Sequence, residues 1–251
     1  MAETGREAPD IAALAEIARA SADREALLLA LAGRLGARTM LELGVWRGDL
    51  AERMLREAPG IETYWMLDPW RPLEDWNKPF NVDAARFEAV HAEAMARTEF
   101  AAGRRRVLRG TTTERADELP DGGIDLAYVD GDHTLRGVAI DLVALWPKIR
   151  PGGVLAGDDF VPSAWQHGVR FEPTFVFPFA VHFAEAAGAP ILAAGHGQFA
   201  ILKPADGARA FSFTDVTGRY GARGVLHQMR LMPSPARRAL NRVRRMVRRR
   251  A

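Results

Sequence analysis

Cysteine is absent from the 251 residues. Disulfides, thiolate metal centres and a cysteine nucleophile are thereby excluded, and the composition fits a reducing, cytoplasmic setting. No run of eighteen or more apolar residues occurs, so no transmembrane helix is expected. The opening "MAETGREAPD" is polar and lacks the apolar core of an export signal, which also favours a cytoplasmic location. Internal repeats are lacking. One long stretch has no acid: residues 237–250 hold eight arginines and no Asp or Glu. The formal net charge of +2 hides this asymmetry, because outside that stretch 26 basic residues face 32 acidic ones. An acidic body argues against a nucleic-acid surface spread over the whole domain.

What is present is ordinary for a globular chain: 48% hydrophobic and 26% charged residues, over a length that can bury a real core. Residues 11–35 carry helical periodicity in two pieces. Ile11, Leu14 and Ile17 lie on one face, and Ser21 is expected to cap a second helix bearing Leu27, Leu28, Leu31 and Leu35. Strands and helices then alternate. "RTMLELGV", "TYWMLD", "RRVLRG", "IDLAYVD" and "GGVLAGDD" read as strands; "GDLAERMLREA", "DAARFEAVHAEAMARTEF" and "LRGVAIDLVALWPKI" read as helices. "FVFPFAVHFAEAAG" reads as a helix interrupted or started at Pro178, and "PILAAG" with "QFAILKP" as a closing antiparallel pair. This predicts an α/β fold, a doubly wound sheet of about seven strands, mostly parallel, with an antiparallel final strand. Ligands of such sheets bind outside the carboxyl ends of the strands.

Those ends are where the polar residues gather. "LELGVWRGDL" places Glu42 at the end of the first strand, then Gly44 and Gly48 before a helix. Glycine permits a tight turn and a close backbone approach, and helix N-terminal amides then face the ligand. The second strand ends in Asp68, twenty residues past Gly48, where a carboxylate can accept both hydroxyls of a ribose. The competing reading is that Asp68 only caps a helix or starts a turn with Pro69. The third strand ends in Gly110, Thr111 and Thr112, which either line an adenine pocket or cap the following helix. "YVDGDHTLRGV" ends its apolar run at Asp130, Asp132 and His133, and "GGVLAGDDF" ends at Asp158 and Asp159. Helix capping by Asp132 and His133, and loop-amide binding by Asp158 and Asp159, are the structural alternatives to a site.

Taken in order, Glu42-x-Gly44-x-x-x-Gly48, Asp68, Gly110-Thr111-Thr112, "YVDGDH" and "RPGGVLAGDDF" resemble a class I S-adenosylmethionine-dependent methyltransferase with a Rossmann-like sheet. More narrowly they are similar to the methyltransferase domain 24 family, over roughly residues 36–203. The resemblance implies S-adenosylmethionine as cofactor, with Glu42 near its methionine amino group, Gly44 and Gly48 beneath it, and Asp68 on its ribose. Gly110, Thr111, Thr112 and Asp130 complete the implied cofactor set. Residues 1–35 would form an N-terminal helical cap, residues 36–203 the methyltransferase domain, and residues 204–251 a C-terminal extension with the Arg-rich tail.

The two carboxylate ends are similar to those of the metal-dependent catechol and caffeoyl-CoA O-methyltransferases, which carry an Asp after strand four and an Asp-Asn pair after strand five. The matching positions are Asp130, Asp158 and Asp159, with Asp159 departing from Asn. The resemblance implies that these three hold Mg²⁺ or another divalent cation, a hard ion that takes carboxylate oxygens. Where those enzymes hold a catalytic Lys, this chain has His133, a credible general base near neutral pH, so His133 and Asp130 are the expected catalytic pair. Trp70, Trp76 and Phe80 form a stiff aromatic loop, either a lid or mere packing. "SAWQHGVRFEPTF", with Trp165 and His167, supplies an opposite wall, although His167 has no matching partner by spacing.

The function expected is a metal-assisted O-methyltransferase acting on a small-molecule or sugar hydroxyl. Two rivals stand beside it. One is a cephalosporin hydroxylase-like enzyme on the same fold. The other is a binding module that uses residues 237–250 on an anionic membrane or on nucleic acid such as RNA. A homodimer is compatible with either enzyme reading.

Overall fold

A computed structural model describes residues 10–74 and 76–220 of the chain. The Arg-rich segment 237–250, and with it the expected membrane or RNA surface, lies outside the described residues. No helix among the described residues is long and apolar enough to cross a membrane.

Two helices come first, α1 (Ile11–Ala20) and α2 (Arg24–Leu35). Each starts on an aspartate that satisfies a first-turn amide: Asp10 accepts from Ala13 N and Asp23 from Ala26 N, both at 2.7 Å. Ser21, expected to cap α2, instead ends α1 and donates its hydroxyl to the Ile17 carbonyl at 2.8 Å. Asp23 immediately precedes the helix and takes the capping role.

The alternation that follows is β1 (Thr39–Leu43), α3 (Asp49–Glu57), β2 (Thr63–Asp68), α4 (Ala84–Arg97), β3 (Arg105–Arg109), α5 (Thr112–Arg115), β4 (Ile124–Val129), α6 (Leu135–Leu145), β5 (Ile149–Gly157), α7 (Val176–Ala187), β6 (Pro190–Ala193), β7 (Phe199–Leu202) and β8 (Ser212–Asp215). Among the described residues eight strands form one sheet, in the order β3-β2-β1-β4-β5-β7-β6-β8. The strands from β3 to β5 run parallel; β7 is antiparallel to both β5 and β6. The final strand β8 adds to β6 in parallel and was not expected. Its four residues, "SFTD", include none that is buried, so they carry too little apolar alternation to read as a strand. Pro178 is the third residue of α7, in the first turn, where a missing N–H costs no helical bond.

The sheet is covered on both faces, as its buried strands require. All six residues of β4 are buried, the mark of a central parallel strand. Met40, Tyr64, Met66 and Tyr128 join Leu14, Leu28, Leu31 and Met54 in one core, on the side of α1 to α4. Leu41, Leu43 and Leu67 join Leu142, Phe177 and Phe199 in the other, on the side of α6 and α7. The alternation Met40/Leu41 assigns neighbouring residues to opposite faces, as a strand must. Tyr220, 8% exposed, packs edge-on against Phe160 and tilted against Phe177 and donates its hydroxyl to the Phe160 carbonyl, which anchors the segment after β8 to the second core.

The order reverses at β1, which has β2 on one side and β4 on the other. A crevice opens beyond the carboxyl ends of these strands. Gly44 makes the turn there at φ +88°, and a Cβ on it would lie 2.0 Å from the Asp130 carbonyl oxygen. Gly44→Ala is therefore expected to lose roughly 2 kcal/mol or more of stability, from backbone strain and that clash. Gly33, inside α2 with nothing within 4 Å of its Cβ position, should gain about 0.5–1 kcal/mol as Ala. Urea unfolding of the two variants measures both. Equal destabilisation would contradict the placement of Gly44 against β4.

Candidate active site

The crevice is a cavity of about 620 Å³. Glu42, Gly44, Asp68, Thr111, Thr112, Asp130, His133, Asp158 and Asp159 all line it, so nine of the sequence-derived positions converge although they span five strand ends. Two do not line it. Gly48 turns at φ +79° with its Cβ position 3.1 Å from the Cα of Ala94, so its smallness lets α3 approach α4. Gly110 faces the Arg115 side chain.

On one side of the cavity the carboxylates already have work to do. Glu42 is 2% exposed and accepts from the Tyr64 hydroxyl at 2.7 Å. Burial pushes its carboxyl up to about 8 against the pull of that bond. Asp68 accepts from the Trp46 and Trp70 amides at 3.0 and 2.8 Å, closing the turn after β2 rather than capping a helix. Burial raises it to about 6, with those amides pulling the other way. Thr111 caps α5 through a box with Glu114, whose carboxylate accepts from the Thr111 amide at 2.8 Å. Thr112 donates to Asp141 at 2.5 Å. Asp141 is a buried acid that also lines the cavity, raised to about 7 by burial. Its position inside the apolar stripe of α6 was the one signal that could have flagged it.

On the other side three carboxylates meet two protein cations. The Arg24 guanidinium, from the first turn of α2, places one nitrogen 3.4 Å from Asp130 Oδ2 and 3.3 Å from Asp158 Oδ2. Gln198 donates to Asp158 Oδ1 at 2.6 Å. Asp158 is pushed up to about 6 by burial and by Asp130 beside it. Asp159 turns away at φ +59°, a left-handed conformation uncommon outside glycine. It meets His133 Nδ1 and, at 3.3 Å, His167 Nε2, while Gln166 donates to its other oxygen. His133 Nε2 lies 3.1 Å from Asp130 Oδ1. Burial alone would strip the His133 proton, but hydrogen bonds to Asp130 and Asp159 outweigh it and raise the ring to about 10. Although burial also acts on Asp159, the two histidines hold its carboxyl far below the usual range.

This arrangement bears on two expectations. A guanidinium spans Asp130 and Asp158, and Asp159 faces two imidazoles, so a divalent ion held by all three carboxylates would have to displace these partners. His133, the expected base, has Nδ1 facing Asp159 and Nε2 facing Asp130, and both contacts favour its protonated form. Arg24, 106 residues from Asp130 in sequence, left no local signal of its part in the site.

The walls are also in place. Trp70 is fully buried and donates to the Trp46 carbonyl at 2.9 Å, so it is packing and not lid. Trp76 and Phe80 line the cavity, with Trp76 donating to Asp132 at 3.1 Å. Asp132 Oδ1 also accepts from the Thr134 amide at 2.9 Å, while Thr134 itself caps α6, so His133 and Asp132 are not the helix cap. Asn77 and Lys78 bond to Arg170 and Glu172 of the facing loop, tying the two walls together.

Buried Glu42 generates a pH dependence. Its folded value lies above the ordinary 4.5, so the protonated form is favoured by folding. Stability from this group is present below about pH 4.5 and is lost as pH rises toward about 8. Glu42→Gln removes that slope, by up to about 1.4 kcal/mol per pH unit. Melting temperatures of the variant and parent should diverge in the variant's favour between pH 5 and 8. Parallel curves would contradict a protonated Glu42.

Residues 41–160 match the family described as a methyltransferase domain. A curated relative, the uncharacterized protein y4gI of Sinorhizobium fredii, is 29% identical over 100 residues, 37% of this chain. That match spans 11% of the relative's length. Among solved structures, a candidate caffeoyl-CoA O-methyltransferase from Staphylococcus aureus superposes with a TM-score of 0.53 at 14% identity, covering 78% of this chain and 92% of that one. The S-adenosylhomocysteine-bound Podospora anserina methyltransferase PaMTH1 gives 0.51 at 14% identity, over 77% and 87%. At these identities the structures show a shared fold.

Proposed function

We propose that this chain, whose residues 41–160 match a methyltransferase-domain family, is an S-adenosylmethionine-dependent methyltransferase that transfers the methyl group to a hydroxyl oxygen of a small molecule. The observation that carries this reading is the convergence of Glu42, Asp68, Asp130 and Asp158 on one cavity at the point where the strand order reverses. The cofactor would lie across β1, with Asp68 toward the ribose hydroxyls, Glu42 toward the methionine amino group and Thr111 and Thr112 toward the adenine. The close approach at Gly44 leaves the backbone open to it.

In the transfer the sulfonium carbon–sulfur bond breaks as the acceptor oxygen forms its bond to the methyl carbon. The acceptor proton leaves to a carboxylate, and the thioether is released. Most of the catalysis would be positioning of the two partners in line. Asp130 and Asp158, held side by side by Arg24, are the carboxylates that face the acceptor in this reading. Trp76, Phe80 and the loop carrying His167 form the walls that exclude water. No step here is routed through Mg²⁺, because the three strand-end carboxylates are engaged as described.

Asp68→Asn keeps an acceptor for one of the two turn amides and removes the charge. It is expected to weaken S-adenosylhomocysteine binding by about 1–3 kcal/mol in calorimetry, the scale of hydrogen bonds to a charged group. Unchanged affinity would take Asp68 out of the cofactor site. A parent protein that binds neither S-adenosylmethionine nor S-adenosylhomocysteine would sink the methyltransferase reading.

A further inference from the structure

We propose that His133, Asp159 and His167 form a binding site for a transition-metal dication such as Zn²⁺, Co²⁺ or Mn²⁺, open to the cavity and distinct from the three-carboxylate cage that the sequence suggests. The ligand atoms of these three residues lie within 4.8 Å of one another. A metal with bonds of about 2.1 Å needs its ligand atoms roughly 3–4 Å apart, which side-chain shifts of less than 1 Å achieve. All three side chains line the cavity, so an ion there retains open positions for water or an acceptor oxygen.

Two further features favour this set. A metal-ligating histidine usually passes its other ring N–H to a carboxylate, which fixes the ring. His133 meets that condition: Nδ1 faces Asp159, and Nε2 lies 3.1 Å from Asp130 Oδ1. The carboxylate ligand is itself held, since Gln166 donates to the Asp159 oxygen that the histidines leave free. The left-handed backbone at Asp159 aims this carboxylate away from Asp158 and at the two rings. Two imidazoles and one carboxylate suit transition metals better than Mg²⁺, which prefers oxygen. The Asp130–Asp158 pair is meanwhile bridged by Arg24, whereas the partners of Asp159 are two imidazoles, which can exchange a proton for a metal ion. Occupancy of the site does not depend on the methyl-transfer reading; any help the ion gives an acceptor hydroxyl does.

The test is Co²⁺ and Zn²⁺ binding to the full chain, by visible absorption of the cobalt form and by calorimetry, with circular dichroism on each variant. The parent should bind one equivalent and show ligand-field bands. Asp130→Asn and Gln166→Ala, which remove outer partners, should weaken binding about 10–100-fold. His167→Ala and Asp159→Asn should weaken it by more than that, and Asp158→Asn should change it less than threefold. His167 sits in a loop, so His167→Ala is the variant that keeps the fold. Two results would overturn the proposal: a parent without cobalt bands at 1 mM Co²⁺, or binding abolished by Asp158→Asn and untouched by His167→Ala. The second would return the ion to the Asp130–Asp158 pair.

Discussion

The guanidinium of Arg24 holds together two carboxylates that would otherwise repel each other at the end of a buried sheet. Asp130 and Asp158 terminate neighbouring strands, β4 and β5, and the register of those strands brings their ends side by side. Burial at that edge and the neighbouring Asp130 favour the neutral form of Asp158. A cation is the simplest remedy, and the protein supplies one from α2. His133 plays the same part for Asp130 and Asp159. The acidic rim is thus compensated from within the chain by an arginine and an imidazolium, and the remaining shape of the site follows from where those two cations sit.

The rest of the cavity is built on turns in which polar groups are satisfied locally. Asp68 closes its own turn on the Trp70 amide and ties it to the loop after β1 through the Trp46 amide, and Thr111 closes the next turn with Glu114. These bonds fix the loops against the sheet before any ligand arrives. A preformed pocket of this kind loses little entropy when it is filled. The stitched walls, from Asn77 and Lys78 across to Glu172, extend the same economy to the loops beyond the strand ends.

Much of this was legible in the sequence because it is local. The alternation of "TMLEL", "TYWMLD" and "IDLAYV" with amphipathic helices fixes strand and helix by period alone, and a parallel sheet then places every strand end on one edge. That is why Glu42, Asp68, Asp130, Asp158 and Asp159 could be assigned to one cavity. What was not legible depends on side-chain direction and on distant contacts. Arg24 belongs to a helix whose periodicity reports only its buried face. The left-handed turn at Asp159 parts it from Asp158, and no adjacent-residue pattern announces it. His167 lay in a loop without period, so its partnership with Asp159 became visible only in three dimensions. Strand β8 went unread because its residues are not buried.

The position of Arg24 also bears on where this folded unit can be divided. The family match starts at residue 41, seventeen residues after Arg24, and the sequence pattern alone would set the boundary near residue 36. Yet Leu14, Leu28 and Leu31 complete one face of the sheet's core, and α2 delivers the charge that the strand ends need. A shortened fragment drawn at the family boundary would keep the acidic rim and discard its counter-charge. The recognisable motif is thus smaller than the electrostatic unit, and transplanting the motif into another protein would require carrying the two leading helices along with it.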